Sequence, residues 1–209
     1  MAPVNDPLAG CSDEDLLGRL RAGDRDVFGP LVRRYERELY GYLRRYLGDE
    51  DLAADVFQNT FLAVFTKIGQ YEPGRPARPW LYAIATNQAI DALRRKTRRA
   101  ERTADPLAPA PGDAGEEGRP LFDLLAAREA DPADLAEGLE TRRRVRDAVA
   151  ALPDLLRQVV ILAYFQGMKY QDIADALGIP VGTVKSRLHA AVAKLAAAWD
   201  EVESATDAE

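Results

Sequence analysis

Hydrophobic residues recur every three or four positions along most of the chain, which is the spacing of one face of an α-helix. Ser12 and Asp15 have the spacing of a capping box and predict a first short helix. A longer helix is predicted between Asp24, as its cap, and Gly48. Its inward positions are Phe28, Leu31, Val32, Tyr35, Leu39, Tyr42 and Leu43. No convincing β pattern accompanies these stripes, so the fold class is predicted to be all-α.

A third helix is predicted at about residues 49–68, with two faces of different character. The apolar face comprises Ala53, Phe57, Phe61, Val64, Phe65 and Ile68. The opposite face comprises Asp51, Asp55, Gln58, Asn59, Leu62 and Thr66. That second face is polar except for its leucine. The pattern alone is compatible with a solvated surface or with a surface that docks on another protein.

A fourth helix is predicted to begin at Pro79, after a loop at residues 69–78 that contains Tyr71, Arg75 and Arg78. Its inward stripe is Tyr82, Thr86, Ala89 and Leu93. The opposite side carries Trp80, Asn87, Asp91, Arg94, Arg95 and Arg98. Cations can neutralise phosphates, an amide can hydrogen-bond to bases, and an indole can stack on an unstacked base. This combination is typical of single-stranded nucleic-acid binding, although a solvated charged face is the plainer alternative.

Residues 170–189 have the pattern of a helix-turn-helix motif. Ile173, Ala174 and Leu177 form a short apolar stripe, Gly178 supplies the turn, and Pro180 favours a new helix start. The second helix should bury Val184, Leu188, Ala191 and Leu195. Its outward positions are Gly182, Ser186, His189, Ala190 and Ala193, flanked by Thr183, Lys185 and Arg187. Small and polar groups fit base edges and cations fit phosphates, so the motif predicts major-groove DNA binding rather than an ordinary helical hairpin.

Two further helices are predicted before this motif, at about residues 136–151 and 153–165. In the second of them the positions expected to be buried are Leu155, Val159, Leu162 and Ala163. Together with the helix-turn-helix they make a four-helix C-terminal domain.

Charge is distributed unevenly along a chain of 209 residues whose formal net charge is −6. Residues 75–102 hold eight basic residues and two acids, whereas residues 103–140 hold ten acids and two basic residues. Residues 103–120 are also rich in Pro, Ala and Gly and cannot bury a core, which predicts a linker. The predicted organisation is therefore two small helical domains, at residues 10–102 and 136–198, joined by an acidic linker at residues 103–135.

The composition also excludes several classes of protein. Cys11 is the single cysteine and His189 the single histidine, so an intrachain disulfide or a Cys/His metal site is ruled out, and we expect no metal and no cofactor. Carboxylate pairs such as Asp51 with Asp55 or Asp172 with Asp175 have no accompanying nucleophile or phosphate-binding loop, so an enzyme is not expected. The N-terminus lacks a signal-peptide pattern and no apolar run could span a membrane, which predicts a cytoplasmic protein without membrane insertion.

Three segments together resemble the extracytoplasmic function (ECF) sigma factors of the sigma-70 family of RNA polymerase. They are ADVFQNTF at residues 54–61, PWLYAIATNQAIDALRRKTRR at residues 79–99, and LPDLLRQVVILAYFQGMKYQDIADALGIPVGTVKSRLH at residues 152–189. The resemblance implies a promoter-specificity subunit whose partners are core RNA polymerase and promoter DNA. An anti-sigma factor is a further candidate partner.

The resemblance also implies a role for each surface. The face with Asp51, Asp55, Gln58, Asn59 and Leu62 would dock on the polymerase clamp helices. The loop 69–78 and the basic side of the fourth helix would meet the −10 element, and the helix after Pro180 would bind the −35 element as duplex. The acidic linker would either occupy the RNA path or act only as a tether.

The chain departs from the family pattern at two points. The family commonly has arginines after the start of the recognition helix, whereas this chain has His189, Ala190, Ala191 and Val192. The loop PGRPARPW also lacks a phenylalanine that is common before the tryptophan. A repressor or activator with a ligand-sensing N-terminal half is the alternative class; it predicts stable promoter binding without core polymerase.

Overall fold

A computed structural model describes residues 10–103 and 143–206 of the chain. All regular secondary structure within these ranges is helical, as predicted from the sequence. The remainder of the predicted linker, residues 104–135, and the start of the next predicted helix lie outside the described residues. None of the described helices is both long and apolar enough to cross a membrane.

The helices are numbered here in chain order. The N-terminal ones are α1 (Asp13–Arg21), α2 (Phe28–Leu47), α3 (Glu50–Lys67) and α4 (Ala77–Thr103), with short 3₁₀ turns at Arg25–Val27 and Ile68–Gln70. The C-terminal ones are α5 (residues 143–151), α6 (Asp154–Val160, continued by a π-helical turn at Ile161–Phe165), α7 (Tyr170–Leu177) and α8 (Val181–Thr206). They form two compact units, and residues 171–179 group with the N-terminal one.

Side-chain caps set the helix boundaries of the N-terminal unit. Ser12 accepts a hydrogen bond from the Asp15 amide at 3.0 Å and Asp15 accepts one from the Ser12 amide at 3.2 Å, which is the predicted capping box. Asp24 caps the 3₁₀ turn before α2 by accepting from the Asp26 amide, rather than capping α2 itself. Gly48 ends α2 at a φ of 66°, a left-handed conformation that glycine adopts without strain, and Asp49 then caps α3.

The core of the N-terminal unit lies where α2, α3 and α4 meet. The predicted stripe of α2 is buried at Leu31, Tyr35, Leu39, Tyr42 and Leu43. One buried polar pair crosses this core, because the hydroxyls of Tyr42 and Thr86 lie 2.8 Å apart. The bond gives each hydroxyl a partner, so neither is buried unpaired.

The buried side of α3 differs in part from the predicted one. Ala53, Phe61 and Val64 are buried as expected, whereas Phe65 is 37% exposed. Val56 and Thr60 are buried instead, because α3 contacts both α2 and α4 and so buries a sector rotated from the aromatic stripe. The Thr60 hydroxyl donates to the Val56 carbonyl at 2.7 Å, which satisfies it within the helix. Phe65 still packs edge-on against Phe28, with ring centroids 5.3 Å apart.

In the C-terminal unit α6 packs against α8. Val159 and Leu162 are buried as predicted, but Leu155 is 55% exposed, because it lies in the first turn of α6 where no described residue covers it. Ala193 was predicted to face outward and is 9% exposed, since the contact with α6 covers more of the α8 surface than its apolar stripe alone. The inward positions Val184 and Leu188 are buried as predicted.

Candidate functional site

The outward face of α3 presents its predicted docking residues together on one exposed surface. This docking face comprises Asp51, Asp55, Gln58, Asn59 and Leu62, all of which are exposed. Leu62 is 63% exposed, although α3 packs against both α2 and α4 on its other sides. An apolar centre within a polar rim is the arrangement found at protein interfaces, although single exposed apolar side chains are also common on free surfaces.

The outward, basic face of α4 carries an amide and an acid over its first turns and three arginines over the turn that follows. Its exposed members are Asn87, Asp91, Arg94, Arg95 and Arg98. On the other side of the helix Tyr82, Thr86 and Ala89 are buried, so the basic face is held in a fixed orientation by the core. Arg94 approaches Asp91 only to 3.9 Å, and a pair this exposed is weak enough to be exchanged for a phosphate contact.

Not every basic residue of this segment belongs to the basic face. Lys96 donates to the Asp49 carboxylate at 2.8 Å and so ties α4 to the start of α3. The pKa of Asp49 is lowered by the Leu52 amide that it caps and by the Lys96 bond. Arg75 forms an exposed pair with Glu72 at 2.7 Å. The sequence shows the charge of these side chains but not their partners, because the partners are brought close by the fold.

The loop predicted at residues 69–78 ends two residues earlier than expected, because α4 begins at Ala77 rather than at Pro79, and it is built on a buried tyrosine. Tyr71 is 1% exposed, its hydroxyl donates to the Arg75 carbonyl at 2.5 Å, and its ring packs against the Trp80 indole with centroids 5.1 Å apart. Burial raises the pKa of this hydroxyl. Tyr71 was predicted to contact DNA, but its ring is not open to an incoming base here. It supports the loop and the half-buried Trp80 instead.

Arg78 is also engaged within the protein. Its guanidinium lies 2.6 Å from the Glu38 carboxylate, and the Tyr82 hydroxyl donates to the same carboxylate oxygen at 2.7 Å. The Arg78 guanidinium also lies over the Tyr82 ring, 5.6 Å from its centroid. Sequence reasoning missed Glu38, which lies on α2 and carries no local signal for a contact forty residues away. The carboxylate takes the Nε and one Nη of Arg78, so a DNA phosphate would compete with Glu38 for this guanidinium.

The helix-turn-helix has the predicted local geometry. Gly178 adopts a φ of 64°, and the Ile179 amide donates to the Ala174 carbonyl at 3.1 Å, which closes the turn after α7. Pro180 then accepts from the Thr183 amide at 2.9 Å as α8 begins.

The first turns of α8 present most of the predicted residues to solvent. Gly182, Lys185, Ser186 and His189 are exposed, whereas Thr183 and Arg187 are half-buried at the edges of this recognition face. The Ser186 hydroxyl donates back to the Thr183 carbonyl at 3.1 Å. Among residues 10–103 and 143–206, no group of three or more potential metal ligands comes together.

Two protein-family models match successive segments of the chain. Residues 31–99 match sigma-70 region 2, and residues 142–195 match sigma-70 region 4. Among similar curated proteins, the ECF RNA polymerase sigma factor SigW of Bacillus subtilis is 32% identical over 171 residues, which cover 82% of this chain and 88% of SigW. The ECF RNA polymerase sigma-E factor of Haemophilus influenzae is also 32% identical, over 85% of this chain and 89% of its own length.

Solved structures give the same picture at the level of the fold. CnrH, solved in complex with the cytosolic domain of CnrY, is 27% identical with a TM-score of 0.63, over 90% of this chain and 97% of CnrH. The sigma factor RpoE of Bartonella quintana, solved with the anti-sigma factor NepR, has a TM-score of 0.59 at 21% identity, over 83% of this chain and 96% of RpoE, and shows the fold alone.

Proposed function

The chain belongs to the ECF sigma factors of the sigma-70 family, and on that premise we propose which of its surfaces carries each step of promoter recognition. Sigma factors are non-catalytic specificity subunits, and this chain binds core RNA polymerase, recognises −35 and −10 promoter elements and helps to initiate DNA melting. We further propose that the chain has no catalytic centre of its own and acts in the cytoplasm, where the polymerase is.

The docking face of α3 is proposed to bind the clamp helices of core polymerase. The exposed Leu62 would supply the apolar centre of the contact, and Asp51, Asp55, Gln58 and Asn59 its polar rim. An apolar centre within a polar rim is the usual anatomy of a protein interface.

The basic face of α4, together with Trp80 of the same helix and Arg75 of the preceding loop, is proposed to bind the unstacked strand of the −10 element. Extruding a base costs a few kcal/mol, and stacking returns about 1 to 3 kcal/mol per base. Because these terms nearly offset each other, strand contacts made only after melting can hold the open state. Arg78 would join this surface by exchanging Glu38 for a phosphate, and Tyr71 would act as its buried support.

The recognition face of α8 is proposed to bind the −35 element as intact duplex. Gly182, Ser186 and His189 would lie against base edges, with Thr183, Lys185 and Arg187 at the phosphates. The two proposed domains, at residues 10–102 and 136–198, would thus divide duplex recognition from strand capture. An anti-sigma factor is a proposed partner because RpoE, which shares this fold, was solved with one.

The observation that supports the −10 assignment is the fixed orientation of the α4 basic face, whose rear is buried at Tyr82, Thr86 and Ala89. The test measures binding of a pre-melted promoter fragment by the chain assembled with core polymerase. Asn87→Ala and Arg94→Ala should each weaken fragment binding while leaving core binding unchanged. The matched control is Arg37→Ala, which removes an exposed arginine from α2. Equal behaviour of Arg94→Ala and Arg37→Ala would remove the −10 assignment.

A further inference from the structure

Helix α1 lies before the segment that matches region 2, yet it holds the start of the DNA-facing helix α4. The Glu14 carboxylate accepts a hydrogen bond from the Ala77 amide at 2.8 Å. Ala77 is the first residue of α4, and amides in the first turn of a helix have no partner within the helix. Ala77 is also fully buried, so bulk water does not supply the missing partner. Glu14, which lies 63 residues earlier in the chain, supplies it instead.

Glu14 acts on the loop as well as on the start of α4. Besides bonding the Ala77 amide, its charge contributes, after burial itself and together with the charge of Asp13, to the raised pKa of Tyr71 in the loop. Tyr71 in turn packs against Trp80. The hydrogen bond therefore places the Glu14 carboxylate at the amide where the loop becomes helix, and its charge also acts on the tyrosine that supports the loop.

The position of Glu14 is itself fixed by α1. Leu16, Leu17 and Leu20 are buried, and the capping box sets the first turn. Asp13 is held from α2 by the Arg34 guanidinium and by the Tyr35 hydroxyl, each at 2.6 Å. Glu14 is therefore presented from an anchored helix, which is what a positioning group needs.

We propose that Glu14 is a positioning residue for −10 recognition: its bond to the Ala77 amide holds the loop 69–78 and the first turn of α4 in the conformation that presents Trp80 and the basic face. This inference rests on the proposed −10 role of that surface. It also predicts that loss of this negative charge together with its hydrogen bond weakens DNA binding, which is opposite to the effect of charge alone. Removing a negative charge close to a DNA-binding surface should strengthen DNA binding by electrostatics alone, whereas loss of positioning weakens it.

The experiment uses the full chain assembled with core polymerase. The probe is the single-stranded −10 sequence that the unmodified assembly selects from a randomised oligonucleotide pool. Glu14→Gln keeps the reach and an acceptor oxygen but loses the charge. Glu14→Asp keeps the charge but is one methylene too short to reach the Ala77 amide. Glu36→Ala, which removes an exposed glutamate of α2, is the control for charge.

Glu14→Ala and Glu14→Asp should weaken strand binding about fivefold, as expected for loss of one partly exposed charge-assisted hydrogen bond. Glu14→Gln should stay within about twofold of the unmodified chain, since an amide oxygen still accepts the bond. Core polymerase affinity should be unchanged in all variants, which a general folding defect would not allow.

Tighter strand binding by Glu14→Ala, or recovery by the aspartate rather than the glutamine variant, would overturn the proposal, because charge and not the bond would then control the site. If Glu14→Ala does not fold, the comparison of Glu14→Gln with Glu14→Asp still decides. Arg94→Ala separates the two levels of inference: if it lowers strand binding and Glu14→Ala does not, only the positioning role fails. If neither lowers it, the −10 assignment fails as well.

Discussion

Truncation of Leu62 gives a quantitative test of the docking face. Complete burial of a leucine side chain stabilises a complex by about 1.5 to 3 kcal/mol. Leu62 is 63% exposed in the free chain, and only that fraction remains to be buried on docking. Scaling by this fraction gives about 1 to 2 kcal/mol, or a five- to thirtyfold loss of core polymerase affinity in Leu62→Ala.

The fold should tolerate this change, because alanine favours a helix and surface substitutions usually alter stability by about 0.5 kcal/mol or less. The assay is competition between the variant and the unmodified chain for core polymerase, combined with urea unfolding of the free chain. Glu36→Ala controls for truncation at an exposed helix position away from the docking face. An unchanged affinity, with the free energy of unfolding also unchanged, would show that Leu62 is not buried by core polymerase. Asp55→Arg should weaken the same association and spare the fold.

The remaining predictions concern the duplex-binding helix and the core. Arg187→Ala should lower affinity for a duplex −35 fragment more than for a pre-melted −10 fragment, and equal losses on the two probes would refute the division between domains. Ala190→Arg, at an exposed position where the family commonly has arginine, should strengthen duplex binding and make log Kd steeper in log salt by about one phosphate contact; an unchanged salt slope would place Ala190 away from DNA. Tyr42→Phe leaves the buried Thr86 hydroxyl without its partner and should cost about 1 to 2 kcal/mol of unfolding free energy, measured by urea denaturation, with core affinity unchanged. A stability equal to that of the unmodified chain would contradict this account of the core.

Local signals in the sequence were sufficient for much of the architecture. The Ser12 and Asp15 capping box, the Gly48 stop and the turn at Gly178 each act within a few residues, and all three have the predicted geometry. The apolar stripe of α8 is buried as its spacing predicts, and so is that of α2 except at Phe28 and Val32, which are half-buried. Each of these features depends on helix periodicity and capping, which a single sequence encodes directly.

Features that depend on tertiary contacts were harder to predict. Helix α3 has neighbours on two sides, so Thr60 is buried and Phe65 is partly exposed, against the order of their hydrophobicity. Tyr71 has the residue type of a base-stacking group but lies beneath Trp80. The contacts of Glu14 and Glu38 with α4 join residues at least forty positions apart, and periodicity carries no information about such pairs.

The exposed surfaces were predicted better than the ion pairs that engage some of their side chains. The docking face of α3 and the basic face of α4 are exposed as their helical spacing requires. Which cations on α4 are available to DNA was not predictable, because Arg78 and Lys96 are engaged by carboxylates of other helices. The assignment of each surface to a promoter element stays a prediction until it is tested.

The most direct test of the central claim is to mix the purified chain with core RNA polymerase and a pre-melted promoter fragment and to follow both co-migration and transcription. The account predicts a stable assembly that starts transcripts only when the chain, the core and the fragment are all present. A chain that fails to co-migrate with core polymerase, or that binds promoter duplex stably without it, would contradict the account and favour a free-standing repressor or activator.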